Sequence, residues 1–159
     1  MTVAYAREPL ASALDDIKTI LPALWDEMAE GFAEDRAEPD WSTYLALERK
    51  GAAFLLTARE TSSFVGYLGM LVYPNSSLRT ELSASSTSYY VVPRRDRGVI
   101  LRSLIRHATD ICRQHGVRKM TVKTHPWASA EPVLKNLAFR EIEKIFMLDL
   151  TVTELREAI

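Results

Sequence analysis

The chain has 159 residues, of which 47% are hydrophobic and 26% charged, proportions typical of one globular domain. Its net charge of −1 argues against a general attraction to nucleic acid, so we expect no DNA partner, and no stretch approaches the ~20 apolar residues of a membrane span. The single cysteine, Cys112, excludes a disulfide within these residues, and a reducing cytoplasm fits best.

The first third of the chain reads as one strand and two helices. Residues 2–7 alternate apolar and polar side chains, which predicts a strand. Apolar residues then repeat at three- and four-residue steps as far as Met28, which predicts an amphipathic helix that Pro22 kinks or divides. Residues 31–39 are polar and charged, as loops are, and Asp40 is a candidate N-cap for a second helix.

The next segment predicts a β-hairpin. Residues 52–59 and 64–73 both read as strands, and the short link between them implies antiparallel pairing. Gly66 and Gly69 inside the second strand predict a bulge or a close backbone approach. Residues 74–84 are polar and predict a loop.

A strand, a turn and a helix follow, and the rest of the chain is organised around them. Residues 86–92 predict a strand, Pro93 ends it, and an amphipathic helix begins just after Gly98 and carries Cys112 on its apolar stripe. The first turn of a helix leaves backbone N–H groups free, glycine admits an anion, and arginine suits phosphate. The junction therefore predicts a phosphate or diphosphate site; the alternative is an ordinary turn with a solvated basic helix face. The arginines concerned are Arg94, Arg95, Arg97, Arg102 and Arg106.

The last third predicts a strand over residues 117–123, a short helix over 129–137 and a final strand over 139–150. The order of elements predicts one α/β domain with a mixed sheet over residues 1–150, followed by a C-terminal tail at 151–159. Ligands in such sheets bind at the carboxyl ends of strands, which here favours the strand end at Val92.

Three stretches carry a resemblance to a known family: YYVVPRRDRG at residues 89–98, AEPVLKNLAFREIEKIFMLDL at 130–150, and the early run over 21–51. The chain resembles the GNAT superfamily of N-acetyltransferases over essentially its whole length, and most closely its small phage and bacterial members. The resemblance implies a mixed, mostly antiparallel central sheet flanked by helices in a single domain, with acetyl-CoA as the cofactor.

The resemblance also implies the residues that hold acetyl-CoA. In the family, pantetheine pairs with the backbone of the strand equivalent to residues 89–92, and the diphosphate rests on the following turn. The turn pattern is Arg/Gln-x-x-Gly-x-Gly/Ala, and this chain has Arg95 and Gly98 but Ile100 in place of the second glycine; an ungapped alignment from Pro93 matches less of it. The implied cofactor-binding residues are Val91, Val92, Arg95, Arg97, Gly98, Val99 and Ile100.

The usual catalytic groups of the family are replaced. Residues 86–88 are Ser-Thr-Ser where a glutamate base is common, and Leu134 stands at the position of the tyrosine acid. We consider Glu27, His125 and Tyr90 as substitutes, because each can accept or donate a proton. Their structural alternatives are a solvated helix face, a loop histidine beside a proline and strand packing.

Four aromatic residues have two possible roles: they either wall an apolar acceptor pocket or pack in the core. They are Trp25, Trp41, Tyr44 and Trp127. No metal site is predicted.

Three functions are compatible with these features. The leading hypothesis is an acyl-CoA-dependent N-acyltransferase that moves an acetyl group from acetyl-CoA to a primary amine of a small molecule or a protein. The alternative is a non-catalytic binding or regulatory protein of the same fold with a degraded cofactor site. A third is a toxin-like enzyme that acylates aminoacyl-tRNA. A homodimer is also left open.

Overall fold

Five β-strands form one open sheet whose spatial order follows the sequence, β1-β2-β3-β4-β5. The computed structural model describes residues 2–28, 38–75, 80–124 and 130–145. Neighbouring strands are antiparallel except β4 and β5, which are parallel, so the sheet is mixed as predicted. The strands are β1 (Val3–Glu8), β2 (Ala53–Glu60), β3 (Ser63–Pro74), β4 (Leu82–Val91) and β5 (Val117–Thr121).

Helices cover both faces of the sheet. On one face, Ala13, Ile17 and Leu21 of the first helix pack with Tyr67 and Tyr90 of the sheet. On the other face the third helix contributes the larger core, in which Cys112 is buried as predicted. No helix in the described ranges is long and apolar enough to cross a membrane. The helices are α1 (Leu10–Met28), α2 (Trp41–Arg49), α3 (Arg97–Gln114) and α4 (Glu131–Asn136).

Helix α1 is continuous through Pro22, so of the two predicted outcomes, a kink or a division, the division is wrong. Pro22 is exposed, and water can therefore bond the carbonyl that the missing N–H leaves unpaired. Buried Ile17 and Leu21 hold the helix on the sheet up to the proline itself.

The β2–β3 hairpin and the close approach of its glycines are confirmed. The hairpin turns at Thr61, which has a φ of 58°. The register of β3 against β4 shifts at Gly69, where an added Cβ would lie 2.5 Å from Thr87 Oγ1. A Cβ at Gly66 would lie 2.8 Å from the Tyr90 carbonyl oxygen. Both glycines therefore let β3 and β4 approach closely.

Two predicted boundaries are wrong. Strand β4 begins at Leu82, inside the predicted loop, because Ala84 and its serine neighbours are buried between β3 and β5. Residues 139–145 form no strand, and Ile142 and Ile145 are each 76% exposed. The remainder of the predicted last strand, at 146–150, and the tail at 151–159 lie outside the described residues.

Candidate active site

Strands β4 and β5 separate part of the way along β4. They pair from Leu82 to Ser85, and beyond that point the described chain offers β4 no strand on this side. The Ser86 hydroxyl accepts a hydrogen bond of 2.9 Å from the Lys123 amide, which joins the two segments where they begin to diverge. The second half of β4 therefore has an open edge that leads toward Pro93.

The direction of the β4 backbone decides which residues face the open edge. Val92 donates its amide to the Val65 carbonyl at 3.0 Å, and Tyr90 lies opposite Tyr67. The backbone N–H and C=O groups of Val92 and Tyr90 therefore point toward β3. Tyr89 and Val91 alternate with them, so their backbone N–H and C=O groups point toward the open edge. Of the two valines predicted to hold a cofactor, Val91 thus offers its backbone, whereas the Val92 amide is already bonded to β3.

The turn after β4 leads into the first turn of α3. The amides of Val99 and Ile100 both donate to the Asp96 carbonyl, at 2.9 and 3.1 Å, and that of Arg97 donates to the Arg94 carbonyl at 3.2 Å. Ile100 is 1% exposed and its side chain packs in the core, while its amide donates to Asp96, so the fold uses both groups; its assignment to the cofactor stays a prediction. Gly98 is exposed, and an added Cβ would lie 3.7 Å from Val133, in ordinary van der Waals contact, so a side chain would fit here without a clash.

The arginines of this turn differ in what they contact. Arg94 pairs with Glu60 and with Asp96, and it lowers the pKa of the Asp96 carboxyl. Arg97 pairs with Glu27. Arg95 is exposed and makes no ion pair within the described ranges, so it is the arginine of the turn that is available to an anion.

Glu27, Tyr90 and Arg97 form a cluster at the end of α1. The Tyr90 hydroxyl donates to Glu27 Oε1 at 3.0 Å, and an Arg97 guanidinium nitrogen donates to Glu27 Oε2 at 2.7 Å. The Arg97 guanidinium also lies over the Tyr90 ring, 5.2 Å from its centroid. Burial, then the hydrogen bond to Glu27 and its charge, raise the pKa of Tyr90 to about 12. The phenol therefore keeps its proton at neutral pH.

This cluster brings together two of the three catalytic candidates, Glu27 and Tyr90, from elements 63 residues apart. The third candidate, His125, lies outside the described residues. The partnership of Glu27 with Arg97 was missed in the sequence, because only the packing of α1 on the sheet brings them into contact.

A cavity of about 260 Å³ lies between helices α1 and α2 and the sheet. Trp25, Trp41 and Tyr44 line it and also pack against the core on this face, so they take both of the predicted roles; Trp127 lies outside the described residues. Thr87 and Ser88 of β4 also line the cavity, and Ser88 Oγ is 3.2 Å from the Tyr67 hydroxyl. The cavity therefore reaches β4 near the start of its open edge.

A mixed open sheet, split between two parallel strands beside a glycine turn and a helix N-terminus, defines a class of acyltransferase-like folds. The model of the acetyltransferase (GNAT) family matches residues 17–139, and the chain belongs to this family. The sequence matches none of the curated proteins.

Solved structures of the same fold cover nearly the whole chain. A predicted acetyltransferase from Clostridium acetobutylicum, crystallised with acetyl-CoA, is 14% identical with a TM-score of 0.68, over 94% of this chain and 97% of that one. A ribosomal-protein-alanine N-acetyltransferase from Brucella melitensis is 18% identical with a TM-score of 0.66, over 94% and 99%. An aminoglycoside acetyltransferase from a soil metagenomic sample, in complex with sisomicin, is 16% identical with a TM-score of 0.66, over 93% and 96%. At these identities the likeness establishes the fold.

Proposed function

We propose that the chain is an acetyl-CoA-dependent N-acetyltransferase that acts on a primary amine. The observation that carries this proposal is the open edge of β4, which runs from the aromatic cavity to the turn at Gly98. Membership of the acetyltransferase family supports it, as does the Clostridium acetobutylicum structure with acetyl-CoA. When bound, acetyl-CoA supplies an acyl group that is activated as a thioester.

The residues around the open edge fit this cofactor. Tyr89 and Val91 direct backbone groups to the edge, where the amides of an extended pantetheine chain can pair with them as a strand would. The N-terminus of α3 favours an anion, Gly98 is exposed in its first turn, and Arg95 can bond a diphosphate. Val99 is 53% exposed beside this turn and can contact the cofactor with its side chain.

Glu27 is our candidate for the group that takes a proton from the amine, directly or through a water molecule. Its carboxylate is partly exposed and is held by two donors, which fixes its position. Tyr90 is unsuited to protonating the departing thiolate, because its pKa of about 12 exceeds the ~8.5 of an ordinary thiol. We therefore assign Tyr90 as a positioning residue for Glu27. His125 stays a prediction from the sequence.

Calorimetric titration with acetyl-CoA, with desulfo-coenzyme A alongside, tests the cofactor site. We expect micromolar binding that Arg95→Glu weakens at least ~tenfold, since the reversal replaces an attraction for diphosphate by a repulsion. Arg113→Glu is the matched control: it reverses an exposed arginine at the opposite end of α3 and is expected to leave the affinity unchanged. Equal affinities of both variants and the unaltered protein would remove the proposed site.

A screen of primary amines for acetylation then separates an enzyme from the non-catalytic alternative. Thiol release that depends on the amine supports the enzyme, whereas cofactor binding without turnover on any amine supports a binding protein. Four statements stay predictions from the sequence: a closer kinship with small phage and bacterial members, a cytoplasmic location, a protein acceptor and a homodimer.

A further inference from the structure

The wall of the cavity between α1, α2 and the sheet is almost wholly apolar or aromatic. Two tryptophans and two tyrosines line it together with aliphatic side chains of α1 and the sheet, among them Ile17, Leu21, Leu24 and Met70. We propose that the amine acceptor is a small molecule with one primary amine on a compact apolar body, which fills this cavity. This inference rests on the proposed acetyl transfer and specifies its substrate class.

The cavity is partly open to solvent, so its volume limits the part of the acceptor that lies inside it. An apolar cavity of roughly 150 Å³ accommodates benzene. The 260 Å³ available here hold a single aromatic ring or a branched aliphatic group, with a short chain that carries the amine. A folded peptide or a multi-ring sugar is too large to enter as a whole.

The charges around the cavity disfavour a polyamine. Among the described lining residues, Glu48 is the sole charged side chain, and both of its carboxylate oxygens accept from the Leu10 amide at 3.0 Å. Glu48 thus caps the start of α1 and is committed to the fold. A second or third ammonium group would enter an apolar wall without a partner, which is unfavourable for a buried charge.

The polar end of the cavity sets the orientation of the acceptor. Thr87 and Ser88 lie on β4, where its open edge begins, and the Tyr67 hydroxyl lies beside Ser88. The amine faces this end, while the apolar body lies among Trp25, Trp41 and Tyr44. Partial removal of the amine from water at this end lowers its pKa and so favours the neutral form, which is the nucleophile.

The reaction balances with acetyl-CoA as the acyl donor. The amine nitrogen forms a bond to the thioester carbonyl carbon, the carbon–sulfur bond breaks, and the electron pair of that bond leaves with coenzyme A as a thiolate. The nitrogen loses one proton to Glu27 or to water, and the thiolate gains one from solvent. The products are an N-substituted acetamide and coenzyme A.

Titration of the cofactor-free protein with 2-phenylethylamine tests the cavity, with spermidine as the polyamine for comparison. Trp25 and Trp41 in the wall provide a fluorescence signal that is separate from activity. We expect saturable binding of 2-phenylethylamine and at least tenfold weaker binding of spermidine. No binding of 2-phenylethylamine, or equal binding of the two amines, would overturn the proposal.

A pair of variants on α1 links the signal to the cavity. Leu24 and Ile20 are both half-buried on the same helix and pack against the same cluster, but of the two only Leu24 lines the cavity. Leu24→Gln should weaken 2-phenylethylamine about tenfold, and Ile20→Gln should leave its affinity unchanged, with thermal unfolding as the check on folding of both. Leu24→Met keeps the wall apolar and should retain binding. Equal losses in the two glutamine variants would contradict the assignment.

Acetylation assays distinguish the failure of this inference from the failure of the proposed function. If acetyl-CoA binds and spermidine is acetylated faster than 2-phenylethylamine, the acyltransferase stands and the substrate class is wrong. If 2-phenylethylamine binds but no amine is acetylated, the cavity is not an acceptor site and the proposed function fails with it.

Discussion

Glu27 joins the strand that carries the open edge, β4, to the first turn of α3, where the cofactor would bind. Its carboxylate bonds Tyr90 on β4 and Arg97 on α3, and Arg97 is the first residue of the helix whose N-terminus would hold a diphosphate. An anion bound at that turn would compete with Glu27 for the Arg97 guanidinium. The carboxylate would then keep the Tyr90 hydroxyl as a donor, and one of its oxygens would be free to accept a proton when the cofactor is bound.

The first prediction concerns this competition. Glu27→Gln should raise the affinity for acetyl-CoA about two- to fivefold, since a partly exposed ion pair is worth ~1 kcal/mol or less. It should lower turnover about a hundredfold or more by removing the proton acceptor. Calorimetry and thiol-release kinetics measure the two effects. Tyr90→Phe leaves the arginine paired and should leave the affinity unchanged; weaker cofactor binding by Glu27→Gln would contradict the competition.

Single residues were predictable from the sequence where their chemistry stands out, and unpredictable where packing decides. Glu27 and Tyr90 could be named as candidates, but their contact depends on how α1 crosses the sheet. Ile100 was assigned to the cofactor because it replaces a family glycine. Its place beside Leu101 and one turn before Leu104 sets it on the buried stripe of α3, where its side chain packs in the core.

At the scale of elements, α2 depends on its N-terminus more than on its packing. It has nine residues, none of them fully buried. Asp40 caps it by accepting hydrogen bonds from the Thr43 amide and from the hydroxyls of Ser42 and Thr43, at 3.2, 2.6 and 2.6 Å. These bonds lower the pKa of Asp40 to about 2. The cap therefore supports the helix that carries Trp41 and Tyr44 to the cavity.

The second prediction is that Asp40→Ala lowers the melting temperature by about 2–4 °C at pH 7. The folded pKa lies below the unfolded value, so the contribution is complete above pH ~4 and is lost as the pH falls toward 2. Melting curves of both proteins at several pH values measure the difference. Asp40→Asn keeps the hydrogen-bond acceptor without the charge and should show little of this pH dependence. A difference that stays constant down to pH 2 would contradict the assignment.

The third prediction concerns the bulge in β4, where Thr87 and Ser88 lie opposite Gly69 of β3. Gly69→Ala should destabilise the fold by about 1–3 kcal/mol, because the new Cβ would lie 2.5 Å from Thr87 Oγ1 and must displace it. Denaturant unfolding measures the loss. Thr87→Ala removes the opposing oxygen, so the double variant should recover part of the stability relative to Gly69→Ala. Purely additive losses would show that the side-chain clash is not the cause.

Elements with a strong local signal were predictable, and those defined by distant pairing were not. The Asp40 cap, the hairpin and the start of α3 follow from residue types within a few positions. The first residues of β4 are serine and alanine after Leu82, which favour a loop by composition, yet they are buried between two strands. Residues 139–145 were predicted to begin a final strand, but their apolar residues recur every third position rather than alternating, and the described sheet provides no neighbour for a strand there.

For the molecule as a whole, the sheet separates two different environments. The α3 side is a densely filled core, while the α1 and α2 side encloses the cavity. The sequence predicted a mixed, mostly antiparallel sheet from the order of its elements. It did not predict that β4 and β5 part after Ser85, because that depends on where two strands far apart in sequence stop pairing.

The open edge of β4 should be detectable in the rates at which its backbone amide hydrogens exchange with heavy water. Tyr90 and Val92 face β3 and should exchange slowly, whereas Tyr89 and Val91 face the gap and should exchange orders of magnitude faster. Saturation with acetyl-CoA should slow Tyr89 and Val91 and leave the other two unchanged. Residue-resolved exchange by NMR measures this alternation, and uniform protection of all four amides in the free protein would mean that the edge is already occupied. Protection of every second residue would thus show that β4 is hydrogen-bonded on one side only, and that the ligand supplies the hydrogen bonds on the other side.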